Sequence, residues 1–164
     1  MQIRCKKTDL LNSVNISLRA VTSKTTLPIL ECIVIEAQDN IIKLISNNQE
    51  LGIETIVKGE IIENGSIAIN AKLFSEIIRK LPDSDVTFTT NDSFMANIQC
   101  EKAKFNLMGK ASDEFPLLPT VETDKSIRVS DFALKEIIHQ TIFSVSDNES
   151  NKIMTGELFE IKGD

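Results

Sequence analysis

The stretch Ile67-Ala68-Ile69-Asn70-Ala71-Lys72-Leu73-Phe74-Ser75-Glu76-Ile77-Ile78 recurs in pattern 60 residues later as Ile127-Arg128-Val129-Ser130-Asp131-Phe132-Ala133-Leu134-Lys135-Glu136-Ile137-Ile138. Apolar residues coincide at 67/127, 69/129, 74/134, 77/137 and 78/138. Each copy opens with the alternation of a half-buried strand and then changes to helical spacing. The change falls at Asn70 and Ser130, side chains suited to capping a helix N-terminus. The start of the chain fits the same template at an offset of 64, with Ile3, Cys5, Leu10 and Val14 on Ile67, Ile69, Phe74 and Ile78, and with Thr8 as the capping candidate. Three strand-then-helix copies therefore begin near residues 2, 66 and 126.

Outward from these copies the pattern is strand. Ile29 to Ala37 is rich in β-branched residues, Asp39-Asn40 is a turn signal, and Ile41 to Ser46 is a second short strand. A longer run from Leu51 to Ile62 contains Gly59 and closes at Asn64-Gly65, a hairpin-type pair. Val86 to Thr90, Phe94 to Cys100 and Ala103 to Met108 follow the second helix, separated by Asn91-Asp92-Ser93 and Glu101-Lys102. Each full repeat reads as one strand, one helix and three strands. Two such units predict an α+β domain with both helices packed on a pair of antiparallel sheets.

The segment Lys110-Ala111-Ser112-Asp113-Glu114-Phe115-Pro116-Leu117-Leu118-Pro119 interrupts this rhythm and reads as an extended linker docked by Phe115, Leu117 and Leu118. The third copy then starts and stops early: at an offset of 124, Leu30, Val34, Ile35 and Glu36 fall on Met154, Leu158, Phe159 and Glu160, and residue 164 falls on Asn40. The expectation is a complete two-repeat domain over 1–121 and the truncated start of another over 122–164. The latter has only strand, helix and strand with which to bury its apolar face.

Composition narrows the function classes. The 164 residues are 41% hydrophobic and 26% charged, the balance of a globular chain. No apolar run nears the ~20 residues of a membrane span and the N-terminus has no signal-peptide stretch, so a soluble cytoplasmic protein without membrane partners is expected. Cys5, Cys32 and Cys100 are widely spaced, and His139 is the single histidine, which excludes CxxC pairs and two-histidine metal sites; neither metal nor cofactor is implied. The absence of Tyr and Trp weakens readings that need exposed aromatic stacking on strands.

Taken together, Thr26-Leu27-Pro28-Ile29-Leu30, Asp113-Glu114-Phe115-Pro116, and Phe143-Ser144-Val145-Ser146 ahead of Met154-Thr155-Gly156 resemble the bacterial DNA polymerase III β subunits, the sliding clamps. The likeness runs in order from residue 1 to residue 164. It implies the DNA-clamp fold: a protomer of three similar two-repeat domains, with two protomers closing head to tail into a ring whose helices line the hole. It implies a processivity factor for the replicative polymerase, with duplex DNA bound without sequence preference. The catalytic subunit of polymerase III and the clamp loader would be its protein partners. On this reading the chain carries the first domain and the opening of the central one, and cannot close a ring by itself.

The charge pattern is compatible with that role. The helical stretches 8–24, 71–81 and 131–141 hold Arg19, Lys24, Lys72, Arg79, Lys80 and Lys135 against four acidic residues, a surplus of two in a chain of net charge −6. Mildly basic helices in an acidic molecule would draw phosphate to the lining and discourage adhesion elsewhere. Ordinary solvated charge is the competing explanation. By resemblance, Lys24 and Asn148 sit on two loops that touch the DNA backbone, with Asn151 and Lys152 beside the second. Asp147 and Glu149 flank Asn148 and oppose phosphate, and turn chemistry explains both loops equally well.

Alternation over Lys102-Ala103-Lys104-Phe105-Asn106-Leu107 places Phe105 and Leu107 on one face and Lys102 and Lys104 on the other. The resemblance makes this strand the seam between protomers of a homodimer; filling the domain's own core is the alternative. Met154 matches the rim of the pocket that takes partner peptides.

Catalysis finds no support. Gly109-Lys110-Ala111-Ser112 lacks the glycine a phosphate-binding loop needs, since that position is Phe105, and GxSxG is absent. The acidic pairs Asp83/Asp85 and Asp113/Glu114 fall in turns. A non-catalytic clamp is expected, with polymerase or exonuclease chemistry belonging to its holoenzyme. A repeat-built protein-interaction module without a DNA role is the alternative.

Overall fold

A computed structural model describes residues 1–22, 25–116, 118, 126–148 and 150–161, with Lys152 described through its backbone only. It divides into two units, Met1–Pro119 and Thr120–Asp164.

In the first unit the chain runs β1 (Gln2–Lys6), α1 (Lys7–Ser17), β2 (Cys32–Gln38), β3 (Ile41–Asn47), β4 (Gly52–Val57), β5 (Gly59–Glu63), β6 (Gly65–Asn70), α2 (Ala71–Lys80), β7 (Asp85–Thr90), β8 (Met95–Cys100) and β9 (Ala103–Met108). Two antiparallel sheets result, one of order β5-β1-β7-β8-β9 and one of order β4-β3-β2-β6. Each repeat lends its first strand to the sheet of the other. β1 pairs with β7, setting Ile3 opposite Phe88, and β6 pairs with β2, setting Ile67 opposite Ile35.

The sheets and helices enclose one core. Ile3 and Cys5 of β1, Leu10 and Val14 of α1, Ile33 and Ile35 of β2, Ile67 and Ile69 of β6, Phe74 and Ile78 of α2, and Phe88 of β7 belong to a single buried cluster. Each large side chain so buried contributes roughly 1.5–3 kcal/mol. Phe74 meets Phe88 edge to face, ring centroids 6.0 Å apart at 77°, the favoured arrangement of two quadrupoles.

Local chemistry explains most boundaries. Asn70 Oδ1 accepts the backbone N–H of Leu73 at 3.1 Å and caps α2. Asp39 and Asn40 both take positive φ, 51° and 62°, the two-residue turn that matches strand twist between β2 and β3.

Five sequence expectations are corrected. The helix expected over 8–24 is α-helical only to Ser17, tightens to a 3-10 turn over Leu18–Ala20, and gives way to extended backbone at Val21. The β-branched pair Val21-Thr22 disfavours another helical turn. Thr8 does not cap α1, whose cap position is Lys6; the Lys7 N–H donates instead to the Ser84 carbonyl at 3.1 Å. The strand expected from Ile29 begins at Cys32, after a 3-10 turn over Pro28–Glu31. The run from Leu51 to Ile62 is two strands in different sheets, β4 beside β3 and β5 beside β1, divided at Lys58. Consequently Asn64-Gly65 is no hairpin but the step from one sheet to the other. Gly65 makes that step at φ 152°, where a side chain would be strained and its Cβ would press on Met1.

The second unit contains α3 (Asp131–Thr141), capped by Ser130 Oγ accepting from the Ala133 N–H at 3.2 Å, and 3-10 turns over Ile142–Ser144 and Lys152–Thr155. No strand forms among its described residues, in contrast to the strands expected near 127–129 and around Leu158. A strand requires a partner for its N–H and C=O groups, and none is supplied. No residue of α3 is buried; Phe143 is 84% and Leu158 94% exposed.

Candidate nucleic-acid interface

α1 and α2 lie side by side, each held to the sheets by a face of small and apolar residues. On α1 this face is Leu10, Ser13, Val14 and Ser17; on α2 it is Ala71, Phe74, Ser75 and Ile78. Polar bonds reinforce the first helix: Ser13 Oγ donates to the Ile56 carbonyl at 3.3 Å, and Ser46 Oγ donates to the Ser17 carbonyl at 2.8 Å. With these faces committed, the helical period turns the remaining positions to solvent.

Arg19, Lys72, Arg79 and Lys80 are all exposed. Among the described residues the side-chain ion pairs are Arg4–Asp85 and Lys43–Glu54, and none engages these four cations. Arg79 Nη2 donates to Asn15 Oδ1 at 3.1 Å, a bond from α2 to α1 that holds the guanidinium over the line between the helices. Arg79 and Lys80 also occupy the last turn of α2, where cations complement the helix dipole. The resulting surface presents charge-assisted donors without a buried acceptor, chemistry suited to phosphate oxygens. Asn15 was not identifiable from the sequence, because its partner is 64 positions away. Lys24 lies outside the described residues.

In the second unit, Asn148 is exposed and its Oδ1 accepts the Ser150 N–H at 3.0 Å, which leaves its amide nitrogen available as a donor. The Asn151 carbonyl accepts the Met154 N–H at 3.0 Å, and the Asn151 side chain is exposed. Lys152 opens the 3-10 turn that carries Met154, itself 54% exposed. Asp147 is exposed beside Asn148, and Glu149 lies outside the described residues.

β9 is the terminal strand of the five-stranded sheet and among the described residues pairs only with β8, leaving its other edge without a strand partner there. Phe105 and Leu107 are half-buried against the main core, whereas Lys102 and Lys104 are exposed. The two aromatic and aliphatic side chains thus serve the core in part and leave apolar surface at the edge.

Chemistry of other kinds is sparse. All three cysteines are buried free thiols, and burial, aided by Asp9 and Asp85, pushes Cys5 from its ordinary 9.0 up to about 12. Among the described residues, no group of His, Cys, Asp and Glu is arranged to hold a metal ion, and no helix is long and apolar enough to cross a membrane.

Two strand-exchanged repeats, with a pair of helices laid side by side on two antiparallel sheets, define the DNA-clamp class of α+β domain. The family model for the DNA polymerase III beta subunit, N-terminal domain, matches residues 1–119. The chain belongs to the DNA polymerase III beta subunit family. Its sequence is 39% identical to the beta sliding clamp of Staphylococcus epidermidis, covering 95% of this chain and 44% of that one. Against the beta sliding clamp of Bacillus subtilis it is 35% identical, over 99% of this chain and 45% of the relative. A crystal structure described as a DNA polymerase III beta subunit from Eubacterium rectale is similar at a TM-score of 0.90 with 58% identity, covering 99% of this chain and 44% of that chain. The Bacillus subtilis sliding clamp structure gives a TM-score of 0.84 at 36% identity, over 93% and 42%. The chain therefore spans less than half the length of the relatives it matches.

Proposed function

We propose that this chain is the N-terminal part of a ring-shaped sliding clamp, a non-catalytic processivity factor that encircles duplex DNA and tethers a replicative polymerase. The observation that carries the proposal is the exposed side of α2 and of the 3-10 turn that ends α1, where Lys72, Arg79 and Lys80 on the first and Arg19 on the second stand without ion pairs among the described residues. A few phosphate contacts of this kind give binding that is weak, independent of sequence and mobile along the duplex. Lys24 adds a further point charge, and Asn148, Asn151 and Lys152 form a second contact in the central domain, of which 122–164 is the start. Met154 belongs to the rim of a peptide pocket whose other residues lie elsewhere in the full clamp, where the polymerase catalytic subunit and the clamp loader bind. The unpaired edge of β9 joins a second protomer through Phe105 and Leu107, with Lys102 and Lys104 meeting acidic partners.

Retention of the full-length clamp on nicked circular DNA tests this reading. The combined change Lys72→Ala, Arg79→Ala and Lys80→Ala should shorten retention and flatten its salt dependence, each lost phosphate contact removing about 0.9 from the slope of log K against log salt. Lys24→Ala should give a smaller effect of the same kind. Unchanged retention at low salt in both variants would favour a protein-interaction module without a DNA role.

A further inference from the structure

The segment that follows β9 crosses the outer face of the four-stranded sheet as a strap, away from the core and the helices. At its start, backbone bonds tie Lys110 to Ala68 of β6 (Lys110 N to Ala68 O 2.8 Å, Ala68 N to Lys110 O 3.1 Å). The hydroxyls of Ser66 and Ser112 lie 2.6 Å apart, and Phe115 is buried in a second small cluster with Leu30, Cys32 and Val34. At the far end Leu118 rests on Gly52 of β4, in space that a Cβ at position 52 would occupy. Anchored at both edges of the sheet, the strap walls a cavity of about 410 Å³.

That cavity has an apolar floor of Val34, Ile45 and Phe115 and an acidic rim of Glu36, Glu54 and Asp113; among the described residues none lining it is basic. Lys43, the cross-strand partner of Glu36, engages Glu54 at 3.1 Å and offsets one of the three rim charges. Glu36 and Asp113 have no ion pair among the described residues. The volume lies in the range of small-ligand sites, and the walls are built before any ligand arrives, which lowers the ordering cost of binding. The two unpaired carboxylates, Glu36 and Asp113, beside an apolar floor disfavour phosphate and acidic segments and favour a cation whose neighbour can be buried.

We propose that this groove binds a short peptide segment of a partner protein in which an apolar side chain is flanked by Lys or Arg. The apolar residue fills the space between Ile45 and Phe115, and the flanking cations meet Glu36 and Asp113. The site is separate from the helical face assigned to DNA, so a clamp could hold duplex and peptide together.

Titration of the isotope-labelled 164-residue chain with the acetylated, amidated peptide KLFK and its acidic counterpart ELFE, followed by amide chemical shifts, tests the proposal. KLFK should move the amides of Ile45, Glu54, Ser112 and Phe115, several-fold more weakly at raised salt, and ELFE should bind at least about fivefold more weakly. The double variant Glu36→Gln, Asp113→Asn should keep the thermal midpoint and lose about tenfold in affinity for KLFK. Equal binding of the two peptides, unchanged affinity in the double variant, or shifts confined to Phe132 and Phe143 would overturn it. Sedimentation of the unliganded chain adds an arm: self-association abolished by the double variant would assign the groove to a second copy and overturn the partner-peptide assignment.

Discussion

Asn15 shows how one uncharged side chain can govern a charged one. Its Oδ1 fixes the Arg79 guanidinium, and as an exposed polar contact it should contribute little to stability, within about 0.5 kcal/mol. Asn15→Ala should leave the thermal midpoint nearly unchanged yet shorten DNA retention of the full-length clamp about two- to threefold, because Arg79 then pays rotamer entropy on each phosphate contact. An unchanged dwell time would reduce the bond to surface decoration. Cys5 governs alkaline behaviour instead. With its thiol pushed up to about 12, the folded state keeps a proton that the unfolded chain releases above 9, so this contribution to stability is complete below pH 9 and is lost as pH rises toward 12. The loss should be at most about 1.4 kcal/mol for each pH unit of that window. Urea midpoints measured across it should fall with pH, and fall less steeply in Cys5→Ala. At this scale Asn70 and Ser130 were legible as caps because capping is local chemistry. The start of α1 was not, because the Lys7 N–H finds its acceptor in Ser84, 77 residues further along the chain.

Among the elements, the division of Leu51–Ile62 is the most instructive departure from the sequence pattern. Apolar alternation continues across Lys58, and no local signal distinguishes one long strand from two strands in different sheets. Gly59 is the residue that permits the change: a Cβ there would lie 2.6 Å from the Arg4 carbonyl oxygen and 2.9 Å from Ile42 Cδ1. Gly59→Val should therefore force β5 away from β1 and cost about 1–3 kcal/mol. Gly156→Ala, with nothing within 4 Å of the added carbon, should change stability by no more than about 0.5 kcal/mol. Urea denaturation of both variants measures the contrast, and an equal cost would mean that close approach at Gly59 is unimportant. β9 offers a second test at this scale. Phe105→Asp should dissociate the proposed dimer of the full-length protein if the seam dominates its role; loss of folding in the isolated chain would show that its half-buried ring serves the core.

Over the whole molecule, burial is unevenly distributed. The core of the first unit draws on every strand but β9 and β5 and on both helices, with partial support from those two. α3, by contrast, has no buried residue and only Ala133 and Ile138 half-buried. Amide exchange on a dilute sample should find strong protection in β1–β3 and β6–β8 and little over 126–161. Protection of α3 that rises with concentration would show a second copy covering its apolar side chains; strong protection at all concentrations would show that the unit is self-sufficient. The repeat made the two helices and most strands legible beforehand, since buried positions in both copies obey one period. The exchange of first strands between the sheets was hidden, because period describes which face is buried and says nothing of which neighbour supplies the hydrogen bonds.

That exchange has a consequence for how the protein is made. Within this unit β1 is made before every other element, yet one of its two neighbours, β7, begins at Asp85 and the other, β5, at Gly59. At synthesis rates of about 5–20 residues per second, Ile3 waits on the order of ten seconds before Phe88 exists to face it. Meanwhile β2, β3 and β4 follow one another in chain order and can pair as they emerge. Birth order and assembly order are thus opposed for this strand: β1 can meet β5 first and β7 only later, with β8 and β9 adding after that, and a nascent chain stalled before residue 85 would leave one edge of β1 without its partner for chaperones to find.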